Sequence, residues 1–249
     1  MDAVFKKKLI SGKQLTGALL SLPSPELAWI LAESSFDWIF IDAEHGLFDL
    51  KDIQRILQTI QGKASSLVRI PLNDEIWFKR ILDLGVSGII VPQVNTADEA
   101  ARAVKYAKYP PEGNRSVGPA RASGFGMHFN NYIQQANADT SLIVQIEHRE
   151  AVKNIRAILE VQGIDAIFAG PFDLSASLNK TGLIQDNEVT ENLDLIIHEA
   201  KRAGKPAGIF GPNADFLNPW IKKGYSLITA GTDTGIFASG AAAVRASLK

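Results

Sequence analysis

A chain of 249 residues, 46% of them hydrophobic, is long enough to bury one large core, and a net charge of −1 without a long basic block excludes a general binder of nucleic acid or acidic membrane surfaces. With no cysteine, disulfides, thiolate nucleophiles and cysteine-held zinc or iron–sulfur centres are excluded too. No apolar run approaches the roughly 18 residues of a membrane span, and the stretch after Lys6, Lys7 and Lys8 is broken by Gly12, Lys13 and Gln14, unlike a secretion signal. The expected location is therefore the cytoplasm, and the lysine triplet reads as the solvated face of an N-terminal helix.

In chain order, short apolar runs alternate with longer amphipathic ones. Strands are predicted over 15–22, 36–43, 65–70, 88–94, 142–147, 165–174, 206–211 and 226–233. Their cores lack polar alternation, as parallel strands covered on both faces do. Between them, Ser24 precedes PELAWILAE with Pro25 at a first helical position, Asn73 opens DEIWFKRILDLG, and Thr96 opens ADEAARAVKYAKY with its acids leading. Further helices fit 49–61, 150–161, 188–203, 213–223 and 235–248. A weak repeat, GVSGIIVPQV (85–94), GIDAIFAGPF (163–172) and GYSLITAGTD (224–233), puts a helix-ending glycine before three of the strands. Strand–helix alternation of this kind predicts a single α/β domain over 1–249, a (β/α)8 TIM barrel, with a doubly wound open sheet as the competing architecture. The longest departure, 110–141, reads as an insertion able to close over a site.

Barrel enzymes carry their chemistry at the carboxyl ends of the strands. The second predicted strand runs into DAEHG (42–46), the third ends at Arg69, the fifth at Gln145 and Glu147, the sixth at Asp173 and the eighth at Asp233. Glu147 and Asp173, at the ends of adjacent strands, would repel unless a cation or a proton lay between them. Hard oxygen donors with open positions suit Mg²⁺, Mn²⁺ or a similar ion, while capping of the next helix, or pairing with Arg149 or Arg156, would account for the same acids. His45, three residues after Asp42, has a carboxylate near enough to orient it as a base near neutrality, although a loop histidine is commonly a plain surface residue. Arg69 suits either a structural ion pair or a developing oxyanion. AGPFDLS (169–175) and AGTDTG (230–235) offer backbone N–H groups to an anion. None of the predicted strands contains lysine, which argues against a Schiff-base mechanism; Lys180, after the sixth, reads as a solvated loop residue.

These residues resemble the metal-dependent (class II) pyruvate aldolases of the 4-hydroxy-2-oxoheptanedioate and 2-keto-3-deoxy-sugar-acid type. The marks are DAEHG (42–46), VRIP (68–71), LDLG (82–85), VPQV (91–94), YPPEGNRSVG (109–118), ARAS (120–123), VQIEHREAVKN (144–154) and GPFDLS (170–175), so the similarity covers nearly the whole chain. The resemblance implies that His45 is the catalytic base with Asp42 as its partner, and that Arg69 stabilises an enolate. It implies that Gln145 contacts substrate, and that Glu147 and Asp173 hold Mg²⁺, Mn²⁺ or Co²⁺, Asp173 touching substrate as well. The backbone of Phe172, beside Gly170, would hold the pyruvate carboxylate, and Asp83 would tune the histidine across a subunit interface. It further implies a homohexamer, with the last helix exchanged between subunits. Phe172 replaces a residue that is commonly small, and Ala43 a frequent glycine. The expected reaction is reversible cleavage of a 4-hydroxy-2-oxo acid into pyruvate and an aldehyde. A lyase acting on a malyl or citryl thioester, and a silent metabolite-binding barrel, are the alternatives. The aldehyde is left open, as is a role for Arg121 in binding a distal carboxylate.

Overall fold

The computed structural model describes residues 3–248. The strands are β1 (Leu15–Leu20), β2 (Trp38–Asp42), β3 (Ser65–Arg69), β4 (Gly88–Val91), β5 (Ser141–Ile146), β6 (Ala166–Ala169), β7 (Ala207–Gly211) and β8 (Leu227–Thr232). All pair in parallel and in sequence order, and β8 returns to β1 to close the barrel. The helices are α1 (Ala3–Ile10), α2 (Pro25–Glu33), α3 (Leu50–Thr59), α4 (Glu75–Leu82), α5 (Ala97–Ala107), α6 (Phe129–Asp139), α7 (Arg149–Lys153), α8 (Ile155–Glu160), α9 (Pro171–Ser177), α10 (Asn187–Arg202), α11 (Ala214–Lys223) and α12 (Asp233–Ser247). Among the described residues no helix is long and apolar enough to cross a membrane.

Two of the three caps read from the sequence do their expected work, while α4 is capped by Asp74, which accepts from the Ile76 N–H, and not by Asn73, whose amide donates to the Glu99 carbonyl. The Ser24 hydroxyl accepts from the Leu27 N–H, and Thr96 with Glu99 forms a reciprocal capping box at the start of α5. The repeated glycines Gly85, Gly163 and Gly224 turn the chain from helix towards strand at φ of +81°, +95° and +107°, where a Cβ would be strained.

Large and small residues interlock inside the barrel. Trp38, Phe40 and Phe168 meet at centroid distances of 5.7 to 6.5 Å, and glycines face them: a Cβ on Gly17 would lie 2.5 Å from the Trp38 ring. From α1, Phe5 and Leu9 join this inner cluster. They fill the barrel interior at its amino-terminal end. Lys6 on the same helix is buried, 2.9 Å from Asp165 and donating to the Thr140 carbonyl. The lysine triplet is thus not wholly a solvated face, because Asp165 at the barrel floor offers one member a partner.

Three segments depart from expectation. The sixth strand stops at Ala169, because Gly170 and Pro171 break the ladder and start α9, so Asp173 sits in the first turn of a helix. The helix expected over 150–161 is split at Asn154, whose side-chain amide donates to the Asn95 carbonyl. The insertion 110–141 contains α6 and a short 3₁₀ turn, Arg121–Ser123, and it does not cover the carboxyl mouth. It joins the end of α5 to the start of β5, and both lie at the amino end of a barrel.

Candidate active site

Strand register creates the first half of the site. Asp42, the last residue of β2, is the register partner of Arg69, the last of β3. Nε and Nη2 of Arg69 donate to the two Asp42 carboxylate oxygens at 2.9 and 2.8 Å, and both residues are buried. Nε also lies 3.0 Å from Oε2 of Glu44. Burial works against the Arg69 charge, yet its hydrogen bonds to Asp42 and the pull of Asp42, Glu44 and Glu147 hold its pKa above the ordinary value. Burial raises the Glu44 pKa, with Arg69 and His45 opposing and Asp42 and Asp173 adding.

Asp42 does not hold the His45 ring. Its Oδ1 accepts from the backbone N–H groups of Glu44 and His45, at 3.2 and 3.4 Å, as well as from Arg69. The carboxylate shapes the turn and leaves the imidazole at the rim, with a side chain 68% exposed and Nε2 3.9 Å from Oε2 of Glu44. Any influence of Asp42 on the imidazole therefore passes through the turn backbone and Glu44.

The second half comes from β5 and β6. Glu147, just past β5, is buried; its Oε1 accepts from the Gln93 N–H at 2.8 Å and its Oε2 from the Gln145 amide. The backbone of Gln93 reaches it from a left-handed conformation, φ +53°. The Gln145 carbonyl oxygen is buried with no hydrogen-bond donor among the described residues. Gly170 is required here, because a Cβ would stand 2.8 Å from both Cβ and Oε2 of Glu147. Burial pushes the Glu147 carboxyl up to about 7; the Gln93 N–H and Arg69 pull it down, and Asp173 and Glu44 push it further up. Asp42, Glu44, Arg69, Gln145, Glu147, Gly170 and Asp173 thus gather at one mouth, with His45 on its rim and Phe172 beside Asp173.

Several candidates lie elsewhere. Asp83 caps the end of α4, which runs back from the carboxyl mouth, and it pairs with Arg115 at 2.7 Å rather than with His45. Arg121 donates to the Leu84 carbonyl at 2.6 Å on the same amino-terminal side. Asp233 is occupied, accepting from the Ser21 hydroxyl and the Leu22 N–H and so fixing the loop after β1. Arg156 pairs with Glu199 and not with Glu147, and Lys180 lies 3.2 Å from Glu188. A cavity of about 770 Å³ opens among Phe5, Asp37, Gln61, Ser66 and Arg121 at the amino end, and none of the gathered carboxylates lines it. The chemistry is assigned to the opposite mouth because the ionisable groups converge there.

Glu44 is expected at the mouth from its place in DAEHG, but the sequence assigns it no role. Its signal was its position: two residues past Asp42 and one before His45, at the mouth of a barrel. With it, four carboxylates share the mouth with one guanidinium that is already committed to two of them. Among the described residues no group of three or more acids and histidines is arranged to hold a metal. Glu147 and Asp173 still offer two hard oxygen donors, and the surplus of negative charge fits a divalent cation whose other positions are filled by substrate and water. The neutral amide of Gln145 beside Glu147 fits the same role by orienting a ligand carboxylate.

The model of the HpcH/HpaI aldolase/citrate lyase family matches residues 16–240. A 4-hydroxy-2-oxo-heptane-1,7-dioate aldolase of Shigella flexneri is 38% identical over 249 residues, covering 99% of this chain and 93% of the relative. A 5-keto-4-deoxy-D-glucarate aldolase of Klebsiella pneumoniae is 35% identical over 236 residues, covering 94% and 92%. The crystal structure of an HpcH/HpaI aldolase/citrate lyase family protein from Burkholderia cenocepacia superposes with a TM-score of 0.95 at 32% identity, covering 99% of this chain and all of that one.

Proposed function

Because the chain belongs to the HpcH/HpaI aldolase/citrate lyase family, and is accordingly a carbon–carbon lyase, we propose that it reversibly cleaves a 4-hydroxy-2-oxo acid into pyruvate and an aldehyde with a divalent cation, Mg²⁺, Mn²⁺ or Co²⁺, at Glu147 and Asp173. The observation that carries this reading is the convergence of Asp42, Glu44 and Glu147 on Arg69 at the open mouth, with Asp173 beside Glu44 and Glu147 and the Glu147 carboxyl held at about 7. When bound, the cation supplies Lewis-acid polarisation of the 2-oxo group. The substrate carboxylate takes the backbone N–H of Phe172, in the first turn of α9, beside Gly170, whose own N–H is given to the Ile146 carbonyl. His45 accepts the C4 hydroxyl proton, directly or through a water, as the C3–C4 bond breaks and the electron pair passes into the enolate. Arg69 spends Nε and Nη2 on Asp42 and Glu44, keeping Nη1 for the enolate oxygen. A proton delivered to C3 then gives the pyruvate methyl group.

The test is exchange of the pyruvate methyl protons in D₂O with Mg²⁺ or Mn²⁺, followed by nuclear magnetic resonance. Exchange is expected from the wild-type chain, and a chain that never exchanges contradicts the reading. His45→Ala is expected to lower aldol cleavage by roughly 10²–10⁴-fold. Its stability should change by less than about 0.5 kcal/mol, because the ring is exposed and lightly partnered. Near-normal turnover would remove His45 from the mechanism.

The proposal includes a cytoplasmic homo-oligomer, of hexameric size, with α12 exchanged between copies. What supports it is that α12 leaves the barrel with Ile236, Phe237 and Val244 exposed, and Asp233 is its one buried residue. Removal of 236–249 should reduce the mass measured by light scattering to that of a smaller species. An unchanged mass, or a full-length chain that is already monomeric, would contradict the exchange. In such an assembly Asp83 would act from a neighbouring subunit, since within the chain it faces Arg115.

A further inference from the structure

Most of the gathered polar groups occupy one side of the mouth: Asp42 and Arg69 close β2 and β3, and Gln145 and Glu147 stand on and just past β5, while Asp173 follows β6. The side formed by β6 and β7 is different. Phe172, one residue before Asp173, is 41% exposed, and its ring lies 6.0 Å from that of Phe210 on β7, the planes tilted by 52°. Phe210 is half-buried and packs on the inner barrel cluster, so it anchors the pair. An aromatic pair left partly in water beside a carboxylate cluster is apolar surface that a bound ligand would cover.

Charge points the same way. The guanidinium within the cluster is shared between Asp42 and Glu44, and Arg121, the other candidate for a distal carboxylate, donates to the Leu84 carbonyl at the far end of the barrel. A second carboxylate on the substrate would meet Glu44, which already shares the Arg69 guanidinium with Asp42. Resting on the aldolase reading above, we propose that Phe172 and Phe210 form the acceptor wall of the site and select uncharged aldehydes with an apolar body, aromatic or aliphatic. The 2-oxo acid half of the substrate lies against Glu147, Asp173 and the backbone of Phe172, and the aldehyde-derived half lies along the Phe172 and Phe210 rings. Cleavage then releases pyruvate from the polar half and the apolar aldehyde from the aromatic half.

The experiment uses the full-length enzyme with Mn²⁺. Pyruvate methyl exchange in D₂O is measured first, without an aldehyde. Initial rates of aldol addition are then compared for benzaldehyde, hexanal, glyoxylate and succinic semialdehyde, in the wild type and in Phe172→Ala and Phe210→Ala. The expected wild-type kcat/KM is roughly tenfold or more higher for benzaldehyde or hexanal than for either charged aldehyde. Both variants should narrow that ratio by roughly tenfold, mainly through KM for the apolar acceptor. A wild type that exchanges protons but prefers glyoxylate or succinic semialdehyde overturns the acceptor wall alone. So do variants that slow all four aldehydes equally, which would mean that the pair only packs, or covers a subunit contact. A wild type without exchange overturns the aldolase reading and this inference with it.

Discussion

Arg69→Ala is expected to cost both the fold and the reaction. The pair with Asp42 is buried and bidentate, so removing the guanidinium leaves a carboxylate out of water with Glu44 as its neighbour. Breaking a buried pair from one side destabilises by roughly 3–5 kcal/mol, which is most of the margin of an ordinary domain. Urea unfolding should show that loss, and pyruvate proton exchange should fall by roughly 10²-fold or more as the enolate loses its guanidinium partner. Arg69→Lys keeps the charge but not the fork, and should lose less stability while remaining poorly active. An alanine variant within about 1 kcal/mol of the wild type would show that this pair contributes little to the structure.

Glu147→Gln is expected to divide stability from activity. The folded-state pKa of Glu147 is raised from 4.5 to about 7. A carboxyl shifted upward binds its proton more tightly in the folded state, so the metal-free protein loses stability as the pH rises from about 4.5 to 7, by on the order of 3 kcal/mol in total. The amide cannot ionise. Without metal, the variant should match the wild type near pH 4.5 and exceed it near pH 8, while aldol cleavage falls by roughly 10³-fold or more. Mn²⁺ should raise the melting temperature of the wild type at pH 8 and leave that of the variant in place. Parallel pH profiles for the two proteins would contradict the burial argument.

The sequence made some of this legible through strand ends. A buried run that stops at Asp42, and another that stops at Arg69, place two complementary groups at one mouth once the barrel is assumed, and the register then pairs them. Backbone contacts were not legible: nothing in VPQV indicates that the Gln93 N–H will reach Glu147. Asp42 was assigned to His45 and Glu44 was given no role, because spacing in a tight turn does not say which carboxylate faces Arg69 and which approaches the imidazole. The structure gives Arg69 both. Two signals were present and unused. Gly170 and Pro171 together end a strand, which puts Asp173 on a helix. A segment running from the end of a helix to the start of the next strand must lie at the amino face of a barrel, which places 110–141 and Arg121 away from their own mouth. The burial of Lys6 depends on Asp165, distant in sequence, so composition near the amino terminus could not reveal it.

The central claim is that Glu147 and Asp173 together hold one divalent cation. Titration of the metal-free protein with Mn²⁺, followed by electron paramagnetic resonance of the free ion, measures this without recourse to turnover. The account predicts one Mn²⁺ per chain at pH 8, with affinity weakening as Glu147 gains its proton below about pH 7, and loss of that site in both Glu147→Gln and Asp173→Asn. A wild-type chain that takes up no Mn²⁺, or variants that bind it as tightly as the wild type, would contradict it.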